Sequence, residues 1–138
     1  MTKERVKKIR SSMNKLLYEK EVVSVVDIFI DLDILSKKDY EDWRFGRINY
    51  LERVCKGSLH KLSDTVSEIF KYAREKDLKI TTTVYKKWGK GKKTTLRFTK
   101  YGKQSIEKRY SSNFMYKNDK KVRKEKIEKI FSEESEKI

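Results

Sequence analysis

Five lysines crowd one short stretch of this chain. Lys86, Lys87, Lys90, Lys92 and Lys93 surround Trp88, with Gly89 and Gly91 between them and Arg97 just beyond. Ammonium and guanidinium groups in that pattern suit phosphate oxygens, and an indole among them can stack on a base or lie over a sugar. A second group lies in Glu41-Asp42-Trp43-Arg44-Phe45-Gly46-Arg47. Arg44 and Arg47 carry planar forks that can grip phosphate in bidentate fashion. The structural alternative has Trp43 anchoring the segment to a core while both arginines pair with Glu41, Asp42 or Glu52. Acids this close compete for the guanidinium groups, so pairing is the expected outcome.

Catalytic chemistry finds less to work with. His60 is the single histidine, and Cys55 the single cysteine, so no Cys- or His-rich zinc set can be assembled and no disulfide can close within the chain. Glu41 with Asp42, and Asp31 with Asp33, are neighbouring acids of the kind a Mg²⁺-dependent nuclease uses. Glu41 and Asp42, if helical, point about 100° apart. Asp27 and Asp31 share a helix face, as surface acids routinely do. Gly89-Lys90-Gly91-Lys92-Lys93-Thr94 lacks P-loop spacing and precedes no helix. The sequence therefore names no catalytic residue, no metal ligand and no cofactor.

The composition agrees with a polyanion partner. Lys and Arg number 36 against 21 Asp and Glu, giving a formal net charge of +15 in 138 residues. Such an excess draws nucleic acid, an anionic membrane surface or an acidic protein. A Lys-rich, Pro-free chain is also what biased base composition would produce. Hydrophobic content is 36% and charged content 41%, so a core depends on patterning. No apolar run approaches the ~20 residues of a membrane span, and no signal-type segment follows the basic N-terminus. A cytoplasmic, non-membrane protein is the expectation, with oligomeric state open.

These side chains need elements to position them. Ile80–Val84 and Leu96–Thr99 are rich in β-branched and aromatic residues, and the glycines between them supply turn conformations, which predicts a β-hairpin with the lysines at its tip. Ile80, Thr82, Val84, Leu96 and Phe98 would face the core, and Thr83, Tyr85, Lys87, Thr95, Arg97 and Thr99 the other side. Val6, Ile9, Met13, Leu16 and Leu17 predict an amphipathic first helix with a basic start. Ser24 with Asp27 reads as a capping box before the apolar stripe Val25, Ile28, Phe29, Leu32, Leu35, and Ser36 opens a further short turn of helix. Asn49 with Glu52 predicts a helix over 49–56, in which Cys55 is a small core residue. Gly57 ends it, and Ser58 caps the longest helix, 58–76. Ile106, Tyr110 and Phe114 predict a closing helix.

The stretches Glu41–Glu52, Tyr85–Gly91 and Leu96-Arg97-Phe98-Thr99 resemble motifs of a group of small uncharacterised bacterial proteins. The likeness covers Val22 to Phe114. It implies membership but no activity, and no functional residue carries over from it.

The expected architecture is α+β and predominantly helical: a bundle with one β-hairpin, over residues 1–115, followed by a charged helical or partly disordered tail at 116–138. The order of helices, strand, basic turn and strand also fits a winged helix, in which the helix at 58–76 would enter a major groove. Asp64 and Glu68 on that helix would face phosphates unfavourably, so the hairpin and the first helix are the better contact surfaces. The expected activity is non-catalytic binding of DNA or RNA through Lys86, Lys87, Trp88, Lys90, Lys92, Lys93 and Arg97, with Arg44 and Arg47 as further candidates. A protein-interaction module, or a small inhibitor of a nucleoprotein complex, is the competing class, and a metal-dependent nuclease a distant third.

Overall fold

Capping chemistry sets most helix starts. The structure, a computed structural model, describes residues 1–117. Thr2 accepts the Arg5 N–H at 3.2 Å and opens α1 (Lys3–Lys20). Ser24 and Asp27 cap one another's main-chain N–H groups and start α2 (Val25–Asp31). Ser36 caps α3 (Lys37–Arg44), and Ser58 caps α4 (Leu59–Glu75). Each hydroxyl satisfies an amide that the first helical turn leaves without a partner. A shorter helix, α5, spans Gln104–Tyr110.

Three short strands complete the fold: β1 (Val23–Ser24), β2 (Lys79–Thr82) and β3 (Ser112–Met115). They form one antiparallel sheet in the order β1-β3-β2, with Phe114 opposite both Val23 and Ile80. Placing β3 in the middle explains its burial, since both its edges are covered. α1, β1, α2, α4, β2 and β3 run in the order of a winged helix, whose last strand is also central. Here α3 and a 3-10 turn (Leu51–Val54) are inserted between α2 and α4, and residues 83–111 stand where the wing would be.

The fold class is the expected one, α+β and predominantly helical, but its pairings differ from the sequence reading in three places. β2 does not pair with Leu96–Phe98. It pairs with β3, a strand that the sequence reading had placed in the closing helix. Phe114 still reaches the core, where its ring meets Phe70 edge-on at 5.3 Å. The helix expected at 49–56 contracts to the 3-10 turn: Tyr50 is fully extended there, and the Glu52 carboxylate accepts the Tyr110 hydroxyl at 2.5 Å instead of capping Asn49. A regular helix–turn–helix over 49–76 is therefore absent.

α1 packs along α4 and α2. Ile9, Met13, Leu16 and Leu17 are buried together with Ile28, Phe29, Leu62 and Ile69. Polar contacts fix the pairing: Arg10 bridges Glu68 and Glu75, each at 3.0 Å, and Tyr72 donates to Asn14 at 2.9 Å. Among the described residues no helix is long and apolar enough to cross a membrane.

Candidate nucleic-acid interface

After Thr83, whose N–H still bonds the Ser111 carbonyl at 3.0 Å, the chain leaves the sheet. It then forms a narrow ribbon. A single antiparallel bridge joins Lys86 and Thr95, flanked by Lys87 N–H to Thr94 O at 2.9 Å and Leu96 N–H to Tyr85 O at 2.8 Å. From β2 to Tyr85 the faces run opposite to the expected ones, since an assignment off by one residue exchanges inside and outside. Tyr85 is accordingly buried, while Ile80 and Val84, expected inside, are exposed. Phe98 is buried as expected, and Leu96 is half-buried.

Tyr85 and Phe98 bolt the two sides of the ribbon to Trp43. The Trp43 ring lies 5.5 Å from Tyr85 and 5.0 Å from Phe98, and Phe98 stacks on Tyr110 at 5.6 Å. Trp43 is wholly buried, which contributes roughly 4–6 kcal/mol for a side chain of that apolar area. Its Nε1 donates to the Arg97 carbonyl at 2.8 Å. The 3-10 turn adds Leu51 N–H to Arg97 O at 3.2 Å and Glu52 N–H to Phe98 O at 2.9 Å. Glu107 of α5 accepts the Phe98 and Thr99 N–H groups, both at 2.8 Å.

The two stretches singled out by residue type meet face to face. Trp88 N–H bonds the Arg44 carbonyl at 2.7 Å, and the Arg44 guanidinium lies 4.5 Å from the Trp88 ring and 5.1 Å from Tyr85. Phe45 and Tyr40 meet Trp88 edge-on at 5.6 and 5.8 Å. Gly46, at φ +77°, lets the Lys87 stem cross so closely that a Cβ would sit 3.0 Å from Lys87 Cε. Burial raises the Tyr85 phenol above its usual range.

This geometry sorts the candidates. Lys86, Lys90, Lys92, Lys93 and Arg97 are exposed, and Lys87 is half-buried. Lys86 donates to Thr95 Oγ1 at 2.8 Å, and Lys93 to the Gly89 carbonyl, both neutral acceptors. Among the described residues none of these six cations joins an ion pair. Trp88 keeps 37% of its surface exposed while its remaining faces hold the ribbon to α3. Arg47 pairs with Asp42 at 3.0 Å, as expected for acids so near. Arg44 does not pair as expected. It is held between rings, with Nε buried and no hydrogen-bond acceptor for it among the described residues.

The sequence reading missed the extent of the basic surface. From Lys79 to Ile106 there are nine Lys and Arg and no Asp or Glu, so this run carries +9 of the +15. A window of charge, wider than a motif, would have found it. Elsewhere several carboxylates are engaged: Asp27 with Lys20 at 2.9 Å, Asp31 with Lys15, and Asp33 with Lys56 at 3.1 Å. Glu68 turns away from solvent toward Arg10, so it does not face outward from α4 as expected, whereas Asp64 stays at the surface 3.3 Å from His60. Among the described residues no cluster of three His, Cys, Asp or Glu side chains is placed to hold a metal ion.

No protein-family model, curated protein or solved structure matches the chain.

Proposed function

We propose that this chain is a non-catalytic nucleic-acid-binding protein that grips the phosphate backbone through its basic ribbon. The observation that carries this reading is the acid-free run Lys79–Ile106, whose ribbon cations have no carboxylate partner among the described residues. Outside the ribbon Lys15, Lys20 and Lys56 pair with acids, whereas Lys3, Lys7, Lys8, Lys37 and Lys38 join no ion pair among the described residues, so what sets this run apart is the concentration of cations with no acid in it. Those on the ribbon are held in place by Trp43, Tyr85 and Phe98 with their charge left over.

Phosphate recognition supplies what that arrangement lacks. Each phosphate neutralised by Lys or Arg releases counterions, which makes binding favourable at low salt and steeply weaker as salt rises. Pre-ordering the ribbon on an aromatic core reduces the entropy lost when its side chains engage. The winged-helix order of elements supports the same reading, since such a wing lies beside a groove-facing helix. In this chain the ribbon leads, because α4 carries the half-exposed carboxylate of Asp64 beside His60.

Gel-shift titrations with single- and double-stranded DNA and RNA at low and high salt test the proposal. Binding at low salt that falls steeply at high salt is the expected result. Capture of a defined protein partner with salt-insensitive affinity, and no shift of any nucleic acid, would replace it with the protein-interaction reading.

A further inference from the structure

Beside the ribbon lies a cleft of about 720 Å³ between α4, the 3-10 turn and the loop leading into α5. Leu59, Val66 and Ile106 give it apolar walls, and Tyr50 and Tyr101 contribute aromatic rings. Several of these groups are exposed at a real cost in solvation. Tyr101 is 85% exposed and Leu59 64%, and neither supports the core. The rim is cationic: Arg53, Lys100, Lys103 and Arg109 border the opening, and among the described residues none is in an ion pair. Arg109 is steadied on α4 by Ser67 at 3.2 Å and by the Phe70 ring at 5.2 Å. Glu52, the one carboxylate lining the cleft, is occupied by the Tyr110 hydroxyl at 2.5 Å.

The cleft is continuous with the ribbon. The stem of Arg97 lies against Gly102, 3.4 Å from where a Cβ would be, next to Tyr101 in sequence. Lys100 reaches over the Tyr101 ring at 5.5 Å. Cations therefore run from the ribbon past Arg97 to the mouth of an apolar, aromatic-edged pocket.

We infer that this cleft receives an unpaired nucleobase, so that the preferred ligand is single-stranded DNA or RNA, or a strand with an unstacked base. The inference rests on the nucleic-acid reading above. Phosphates alone explain the ribbon but leave the apolar walls and the exposed Tyr101 ring without a role. A base has two π-faces for Tyr101 and Tyr50 and edges that tolerate an apolar wall, while its flanking phosphates meet Lys100, Lys103, Arg53 and Arg109. Bases inside a duplex are stacked and cannot enter.

Fluorescence anisotropy with labelled single-stranded DNA, single-stranded RNA and duplex DNA tests this, on wild type, Tyr101→Ala, Tyr101→Phe and Lys90→Glu/Lys92→Glu/Lys93→Glu. Tyr101 is exposed, so its replacements leave the fold in place. Stacking of one base is worth about 1–3 kcal/mol, so Tyr101→Ala should weaken single-strand binding roughly 5- to 150-fold. Duplex binding should stay unchanged, and Tyr101→Phe should retain single-strand affinity. The triple variant should bind both ligands far more weakly. Tyr101→Ala that weakens neither ligand, or both equally, overturns the cleft assignment while leaving the ribbon reading standing if the triple variant still binds both far more weakly than wild type. Displacement of the single strand by a polyglutamate peptide as readily as by unlabelled strand also overturns it. Absence of nucleic-acid binding by wild type overturns both.

Discussion

The indole of Trp43 donates from Nε1 to the main-chain carbonyl of Arg97 at 2.8 Å, joining α3 to the returning side of the ribbon. The same carbonyl accepts Leu51 N–H, so helix, 3-10 turn and ribbon converge on one oxygen. Position and charge are thereby separated: the aromatic cluster fixes where the ribbon lies, and its lysines remain available outside.

Trp43→Phe tests that join. The ring stays apolar, but the donor is lost and part of the packed volume empties. A loss of about 1–3 kcal/mol in unfolding free energy is expected. Urea titration should show a lower midpoint with an unchanged slope.

Glu107→Ala removes the acceptor for the Phe98 and Thr99 N–H groups and for the Thr99 hydroxyl. Leaving partly buried donors unmet costs about 1.5–3 kcal/mol for a charged acceptor. Hydrogen exchange at Phe98 and Thr99 should accelerate sharply. Glu107→Gln keeps one carbonyl oxygen and should lose less.

Alkaline pH should destabilise the fold. Burial, aided by Glu52 and Asp39, pushes the Cys55 thiol from 9.0 up to about 12. Burial likewise pushes Tyr116 to about 12 and raises Tyr85 and Tyr110. In each case the unfolded chain ionises first and binds fewer protons, so stability falls as pH rises. The contribution is complete below the unfolded thiol's range and is lost progressively from about pH 9 upward. Guanidinium midpoints at about pH 7 and pH 8.5 should agree, and the midpoint at about pH 11 should be lower. Native Cys55 should also resist a thiol reagent at about pH 8 that modifies the unfolded chain rapidly.

Much of this fold is legible in local residue pattern. Ser24 with Asp27, Ser36 and Ser58 mark helix starts through chemistry confined to four residues, and Trp43 stands out as an anchor among charges. Strand partners are another matter. Ile80 reads as a strand residue, but nothing nearby says that it pairs with Phe114, and Phe114 follows Tyr110 at helical spacing. Tyr85 is misassigned to the outer face because the alternation is counted from Ile80, which β2 leaves exposed once its partner is β3. The lysine cluster was visible as a motif. The acid-free span around it and the cleft at Tyr101 were not, since the cleft is assembled from α4, the 3-10 turn and α5.

The salt dependence of binding by Lys90→Glu/Lys92→Glu/Lys93→Glu tests the central claim most directly. Wild type should bind duplex DNA with log Kobs falling linearly against log salt. If each of the three lysines contacts one phosphate, the variant's slope should be shallower by about 2.7, with affinity greatly reduced and an unchanged far-UV circular dichroism spectrum. A folded variant with wild-type affinity and wild-type slope would contradict phosphate recognition by the ribbon.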